Sequence, residues 1–584
     1  MKILLVAVNA KYIHSNLAVH SLRAYAKRYQ DQINIIEYTI NHNPEDILKG
    51  IYKEQADVIA FSCYIWNIEM ITRVMVELKK VRPEAKIWFG GPEVSYDPDQ
   101  CLKSYKELDG VIVGEGEQTF LELMNYYVGA SGTLEQIHGL AFKSSARFSQ
   151  AKEDVDDGFT MTPVRLPISL DAIPFPYEDM KQFKNKIIYY ESSRGCPFTC
   201  SYCLSSIDRQ VRLRNTDLVK EELEIFLNYQ VPQVKFVDRT FNCNKKHAME
   251  IWRFLKEHDN GVTNFHFEIS ADILDDEEIE LLSTLRPGQV QFEIGVQSTN
   301  ENTVTAIHRK MDLNKLARNV ARIHEGANIH EHLDLIAGLP LEDFESFEKS
   351  FNDVYRMAPD QLQLGFLKVL KGSLMEEECM KYGIVYRDKA PYEVLYTKQL
   401  AYSEVLKIKG VCDMTEVYYN SGQFQYAVKY LEHFFDSPFG LYQALSNYYE
   451  EKKYDILAHS RIRRYEILLD FYEDKVLELS NTEDRKELSL VFKEILVTDV
   501  YLREDIKTRP RFALNPPEKN VSEVLEQYGV DRKAAHVEHF TYDILASCET
   551  ERSVKKDYRM IFDYSMRDPL NKSAKLIEVN PING

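Results

Sequence analysis

No stretch of this sequence approaches the ~20 consecutive apolar residues that span a bilayer. The opening Met-Lys-Ile-Leu-Leu-Val-Ala-Val run is too short for the core of a secretion signal and is broken by Asn9 and Lys11. A cytoplasmic protein without membrane association is the expectation. An excess of basic residues is also missing. Lys and Arg number 72 against 91 Asp and Glu, a net charge of −19, which argues against a broad nucleic-acid footprint and leaves room only for a local basic groove. Cysteine is sparse, with nine in 584 residues, too few for a disulfide framework. Six of them (Cys63, Cys101, Cys243, Cys379, Cys412 and Cys548) are scattered and read as small buried apolar residues.

The other three stand together. Cys196, Cys200 and Cys203 form a CxxxCxxC pattern in Ser-Ser-Arg-Gly-Cys-Pro-Phe-Thr-Cys-Ser-Tyr-Cys-Leu, with Tyr202 directly before the last. Zinc sites usually pair CxxC units or add a fourth Cys or His at suitable spacing, and no such partner follows. Three thiolates are one short of the four that fill a 4Fe-4S cluster, so the trio points to a cubane with one iron open. This spacing resembles the radical S-adenosylmethionine (SAM) enzymes. The resemblance implies that the open iron takes the amino and carboxylate groups of SAM, and that an external one-electron reductant such as a flavodoxin or ferredoxin serves the cluster.

Residues 1–130 alternate strand-length apolar runs with helix-length segments. Lys2–Val8, Asn34–Thr39, Asp57–Ser62, Lys86–Phe89 and Gly110–Val113 are the strand candidates. They show no polar–apolar alternation, as expected of parallel strands covered on both faces. Asn16–Arg28, Glu45–Glu54, Ile68–Lys80 and Glu117–Tyr127 are the helix candidates. The pattern predicts a doubly wound, Rossmann-like α/β domain whose ligand lies beyond the carboxyl ends of the strands. The loops there carry His14, Ser62, Gly90-Gly91-Pro92-Glu93 and Gly114-Glu115-Gly116-Glu117, whose glycines allow close backbone approach to a ligand. Gly-Gly-Pro and Gly-Glu-Gly-Glu-x-Thr-Phe resemble the cobalamin-binding domain that precedes many radical SAM domains. The Asp-x-His-x-x-Gly motif that puts a histidine below cobalt is missing, so no protein histidine is expected in that position.

Residues 131–185 read as a connector, with a small hairpin from His138–Lys143 and Arg147–Ala151, a polar turn at Lys152–Gly158, and a proline-fixed path at Leu170–Tyr177. Residues 186–373 hold six strand candidates: Ile187–Glu191, Val234–Asp238, Asn264–Ser270, Val290–Gly295, His330–Ala337 and Gln361–Val369. Helical segments separate them, predicting a partial (β/α)6 barrel with its chemistry at the carboxyl ends of the strands. The family resemblance assigns Asp238 to the methionyl ammonium of SAM, and Glu268 and Ser270 to the ribose or the surroundings of the carboxylate. Glu293 and Gln297 lie in a segment resembling the family's Glu-x-Gly-x-Gln-Ser element, with Arg309 following, and the turn after Asp334 resembles the adenine-side strand.

The remainder divides into a helical region, 374–497, and a small α+β module, 498–584. Helices are expected at Pro391–Lys407, Phe424–Phe435, Leu441–Glu451, Tyr454–Tyr472, Leu488–Val497 and Val521–Tyr528. Strands are expected at Arg511–Leu514, Ala535–Asp543 and Arg559–Ser565, and Asn571–Gly584 reads as a frayed end. The aromatics in the helices read as core. His536 and His539 face opposite sides of a strand and do not form a shared metal site. The location resembles a C-terminal extension carried by a subset of these proteins. By resemblance, the whole implies methylation of an unactivated carbon of a small molecule, with oxidative cyclisation, ring rearrangement, or modification of a tRNA or protein as alternatives. Only Cys63 and Cys101 precede the cluster motif, against the three extra cysteines usual in methylthio transfer. A cobalamin or redox sensor is the non-enzymatic alternative, for which a full set of SAM contacts would be superfluous.

Overall fold

The computed structural model describes residues 1–143, 158–479, 485–506, 508–515, 520–550 and 553–579. The first sheet holds β1 (Ile3–Asn9), β2 (Ile33–Thr39), β3 (Val58–Ser62), β4 (Lys86–Gly90) and β5 (Gly110–Ile112), all parallel in the order β2-β1-β3-β4-β5. Every residue of β1 and β3 is buried. Leu4, Val6 and Val8 pack into one core and Ile3, Leu5 and Ala7 into another, so successive side chains feed opposite faces of the sheet.

Two antiparallel strands, β6 (Leu140–Lys143) and β7 (Phe159–Met161), continue this sheet beyond β5. The stretch expected to form a separate connector hairpin therefore belongs to the first sheet. Its first arm, Leu140-Ala-Phe142, supplies residues to both cores, which a free hairpin would leave wet. The expected second arm, Arg147–Ala151, and most of the polar turn at 152–158 lie outside the described residues.

The central sheet runs in sequence order: β8 (Ile188–Tyr190), β11 (Gln233–Phe236), β12 (Asn264–Ile269), β13 (Val290–Gln297), β14 (Ile329–Ala337) and β15 (Gln361–Phe366). All six are parallel, and β8 and β15 do not pair, leaving a barrel open on one side. Between β8 and β11, the short strands β9 (Ser193–Arg194) and β10 (Arg212–Leu213) close an antiparallel ladder. Alternation on β13 is complete: Val290, Phe292, Ile294 and Val296 are buried in the hydrophobic core, while Gln291, Glu293, Gly295 and Gln297 occupy the other face, toward the barrel interior. Register sets Lys235, His266, Gln291 and His330 side by side, with Glu268, Glu293 and His332 in the next layer toward the carboxyl ends.

The two α/β bodies meet along β8. Ile187 donates its N–H to Ile13 O (2.6 Å), and Ser15 N–H donates to Ile187 O (3.3 Å), so the loop after β1 runs beside the strand. On the far side of the barrel, Leu367–Val369 exchanges backbone hydrogen bonds with Tyr392 and Val394, beside the hairpin β16 (Val385–Tyr386) and β17 (Val394–Tyr396). That pairing displaces the helix expected at Pro391–Lys407, which starts only at Tyr402 and runs to Thr415.

Further helices cover Gln425–Glu432, Pro438–Glu451, Arg461–Phe471 and Arg485–Arg503. Their apolar faces join those of the barrel in one cluster, with Tyr418, Tyr430, Tyr442, Tyr448 and Tyr472 fully buried as core. The helix Arg485–Arg503 crosses position 498, where a change of domain is expected, because Glu494 on it accepts from the N–H groups of Thr541 and Tyr542. The terminal sheet is antiparallel: β18 (Ala535–Tyr542), β19 (Lys555–Asp563) and β20 (Lys575–Val579). Arg511–Leu514 is not a strand. Instead β20 occupies the expected frayed end, where Val579 joins Val537 and Ile561 over the helix Val521–Tyr528. His536 stacks on Tyr501 and bonds Glu538, whereas His539 bonds Asp557, so the two do not share a site. Among the described residues no helix is long and apolar enough to cross a membrane.

Candidate active site

All three cysteines lie on the loop between β9 and β10. Ser193–Arg194 enters the loop and Arg212–Leu213 leaves it, paired as a ladder that closes its base. At the entrance Gly195 has φ +96°, and a Cβ there would sit 2.4 Å from Gln210 O, so the turn requires glycine. Cys196 N–H donates to Asp208 O (3.0 Å), Ser201 N–H to Ile307 O (2.9 Å), and Met375 N–H to Ser201 O (2.8 Å). These bonds tie the loop to its own far arm, to the segment after β13, and to the helix after β15. Cys196 and Cys200 are buried and Cys203 partly so.

Asp238, just past β11, is fully buried and holds the start of this loop. Its Oδ1 accepts from the hydroxyls of Ser192 and Ser193 (2.6 Å each) and its Oδ2 from Ser192 N–H (3.0 Å). Burial raises its carboxyl to about 6 despite those donors. Three of its acceptor positions are thus already used by the chain. Ser270 is likewise engaged, its hydroxyl donating to Asp272 Oδ1 at 2.6 Å.

The other strand-end residues converge. Arg309 reaches Cys200 Sγ (3.8 Å) and the Tyr202 hydroxyl (3.5 Å) through Nη1, and the Gly295 carbonyl through Nη2. Burial lifts the Cys200 thiol while the guanidinium opposes the rise. Glu268 is pushed up to about 7 by burial, the Arg239 charge opposing and the Glu293 charge adding to it. Glu293 goes the other way: burial alone would raise it, but His266 and Lys235 (2.9 Å to Oε2) hold it well below the usual range. Asp334 is lifted to about 8 by burial, and His332, 3.4 Å away but not hydrogen-bonded to it, is lowered to about 4.

Buried polar atoms without a hydrogen-bond partner include Gln297 Oε1, Arg309 Nε, Asp334 Oδ1 and Ser201 Oγ. Arg309 Nη1 lies 3.8 Å from Cys200 Sγ and Ser201 stands within the cysteine motif, so these two belong to the immediate surroundings of the thiols. Gln297 itself has φ +70°. Three free cysteines on one tethered loop are the donor set of a 4Fe-4S cluster with one iron left open, whereas structural zinc takes four Cys or His ligands.

At the first sheet, the loops after β1, β3, β4 and β5 face the same end. His14 bonds the Tyr189 hydroxyl on β8, and burial lowers its basicity. Ser62 Oγ accepts from Asn16 (3.4 Å). Gly90 O accepts from Cys63 N–H (2.7 Å), and at Gly91 (φ +118°) a Cβ would meet Cys63 O at 2.5 Å. Gly116 opens the helix Glu117–Tyr127, whereas a Cβ at Gly114 would meet nothing within 4 Å. Tyr12 is 71% exposed and Trp66 44%, the latter stacked on Tyr64 at 4.3 Å. Exposed aromatics and an open glycine fit a large, flat ligand such as a corrinoid. A surface cavity of ≈ 550 Å³ lined by His20, Glu37, Glu178 and Lys186 shares no residue with either site.

Sequence reasoning missed the link between the two bodies. Glu117 Oε1 accepts from Arg194 Nη2 (2.9 Å), Glu115 lies 3.4 Å from Arg194 Nη1, and Arg212 bonds Glu115 as well. The partners are roughly 80 to 100 positions apart, beyond the reach of periodicity or spacing. Their one visible signal is that both acids stand in the Gly-Glu-Gly-Glu segment and Arg194 in the cysteine motif. Also missed were Lys235, His266 and His332, inward residues of β11, β12 and β14.

Comparison with known proteins agrees with this architecture. Residues 3–124 match the B12 binding domain, residues 190–354 the radical SAM superfamily, and residues 380–562 a protein of unknown function, DUF4080. Over 504 residues the chain is 22% identical to the 2-(S-pantetheinyl)-carbapenam-3-carboxylate methyltransferase of Streptantibioticus cattleyicolor, spanning 79% of this chain and 71% of that protein. Among solved structures, OxsB with aqua-cobalamin and S-adenosylmethionine bound aligns at TM-score 0.54 and 13% identity, over 86% of this chain and 76% of that one. TsrM from Kitasatospora setae, with cobalamin and a [4Fe-4S] cluster bound, aligns at TM-score 0.53 and 15% identity, over 67% and 79%.

Proposed function

We propose, from the premise that this chain is a cobalamin-binding radical SAM enzyme with a DUF4080 region behind its barrel, that it methylates an unactivated carbon of a small molecule. When bound, a 4Fe-4S cluster with SAM supplies the 5′-deoxyadenosyl radical and the corrinoid supplies a transferable methyl group. The observation that carries this reading is the placement of Cys196, Cys200 and Cys203 on one tethered loop at the barrel's carboxyl end, with Arg309 3.8 Å from Cys200.

The chain's own residues then have distinct tasks. Cys196, Cys200 and Cys203 hold the cluster, and Asp238 with Ser192 and Ser193 fixes the loop that carries them. Arg309 sets a positive charge against Cys200 and Tyr202. Gln297, Glu268 and Asp334 offer acceptors to SAM from the carboxyl halves of their strands. Lys235, one layer below Glu268, pairs with Glu293 (2.9 Å) and compensates its charge inside the barrel. Tyr12, Gly114 and Trp66 receive the corrinoid on the opposing domain. Similarity to a carbapenam methyltransferase supports methyl transfer as the outcome.

Anaerobic reconstitution with iron and sulfide should give four irons per chain and the broad visible absorbance of one cubane cluster. Joint replacement of Cys196, Cys200 and Cys203 by Ala should abolish both. Reduced protein with SAM should release 5′-deoxyadenosine, and hydroxocobalamin should co-purify with the chain. Iron retained by the triple variant, or no 5′-deoxyadenosine from the loaded protein, would overturn the proposal.

A further inference from the structure

The base of the cysteine loop is held from two sides. From the barrel, Asp238 grips Ser192 and Ser193. From the first domain, Glu115 and Glu117 grip Arg194 and Arg212, the two residues that face each other across the ladder closing the loop. Arg194 is the junction. It makes a two-pronged contact to Glu191 of its own domain (2.9 and 2.6 Å) and reaches Glu117 across the interface (2.9 Å). The side chains of Glu117 and Arg212 are 7% and 13% exposed, so solvent and salt screen these pairs weakly. One residue after Arg194 comes Gly195, whose backbone has no slack, and then Cys196. One residue before Glu115 comes Gly114, at the open face of the first domain.

We infer that Arg194 is a positioning residue that couples the two cofactor sites. A ligand seated at Gly114 fixes the Glu115–Glu117 turn, the turn fixes Arg194 and Arg212, and these fix the loop presenting the thiols. The inference rests on the function proposed above. Coupling of binding free energies is reciprocal: loading the cluster raises corrinoid affinity by the same factor as corrinoid raises the stability of the loaded loop. The bonds that carry the coupling are charge-assisted, and an Arg gripping carboxylates on two domains conveys orientation as well as charge.

The test titrates hydroxocobalamin into the full-length chain, iron-free and iron-loaded. The loaded protein should bind about tenfold tighter, within the usual range for coupled sites. The Glu115→Gln/Glu117→Gln double variant preserves side-chain shape and should bring the two affinities within about twofold. Arg194→Gln should do the same, and Arg194→Lys should restore part of the difference, which a purely structural role would not predict. Circular dichroism confirms that each variant is folded. Equal affinities in the native chain, or an undiminished ratio in the double variant with iron content intact, overturn the coupling alone. Absence of any corrinoid binding overturns the proposed function and the coupling with it.

Discussion

At the scale of single residues, burial decides which acids carry charge. Asp499 has no exposed surface and accepts from the N–H groups of Tyr426 (3.0 Å) and Ala427 (2.8 Å), yet its carboxyl is lifted to about 8 by desolvation. In the unfolded chain it titrates near 3.9. Between those values the unfolded state releases a proton that the folded state keeps, so this group's stabilisation is complete below about pH 4 and drains away as pH rises toward 8. Asp499→Asn removes the titration. Urea midpoints measured from pH 5 to pH 8 should fall for the native chain relative to the variant, each pKa unit being worth about 1.4 kcal/mol at most. Parallel pH profiles would rule this out. Residues with chemistry in their spacing, Cys196, Cys200 and Cys203 above all, were legible in the chain. Residues defined by a distant partner were not: Glu115 and Glu117 read as part of a ligand loop, and nothing local indicates that Arg194 and Arg212 claim them.

At the scale of elements, the β8–β10 unit is a loop made rigid at its neck. Gly195→Ala places a methyl 2.4 Å from a backbone carbonyl in a left-handed conformation, which costs at least about 1–2 kcal/mol before the neck shifts. The variant should keep its far-UV circular dichroism but take up less than half the iron of the native chain on reconstitution. Full iron loading would show that the neck tolerates movement. Long elements with a single period were legible: the uninterrupted apolar runs of β1 and β3 mark strands buried on both faces, and the helices Glu117–Tyr127 and Phe344–Tyr355 fall on their expected residues. Short ones were legible only in part. The arm expected at His138–Lys143 is a strand, but its pairing with β5 was not legible, and Val394–Tyr396, three residues long, is too short for periodicity and falls where a helix is expected. Lys575–Val579, where a frayed end is expected, is a strand paired with β19.

At the scale of the whole molecule, the order of the parts was legible and their mutual grip was not. Alternating strands and helices followed by a helix-rich tail announce two α/β bodies and an appendage. That the tail's tyrosines share one continuous core with the barrel follows only from three-dimensional packing. The backbone bonds between Ile187 and the Ile13–Ser15 turn have a further consequence. Strand β8 is the terminal strand of an open sheet, and its outer side would otherwise present bare N–H and C=O groups to any extended chain that met them. The first domain acts as the cap on that template. A chain cut down to residues 186–584 should therefore self-associate, eluting as oligomers in size exclusion at micromolar concentration, whereas the full-length chain should not do so through this strand. A monomeric, monodisperse fragment would show that the edge is harmless. If the fragment does polymerise, barrel and corrinoid domain are inseparable for solubility as well as for chemistry, and neither could have been exchanged without supplying a new cover for that strand.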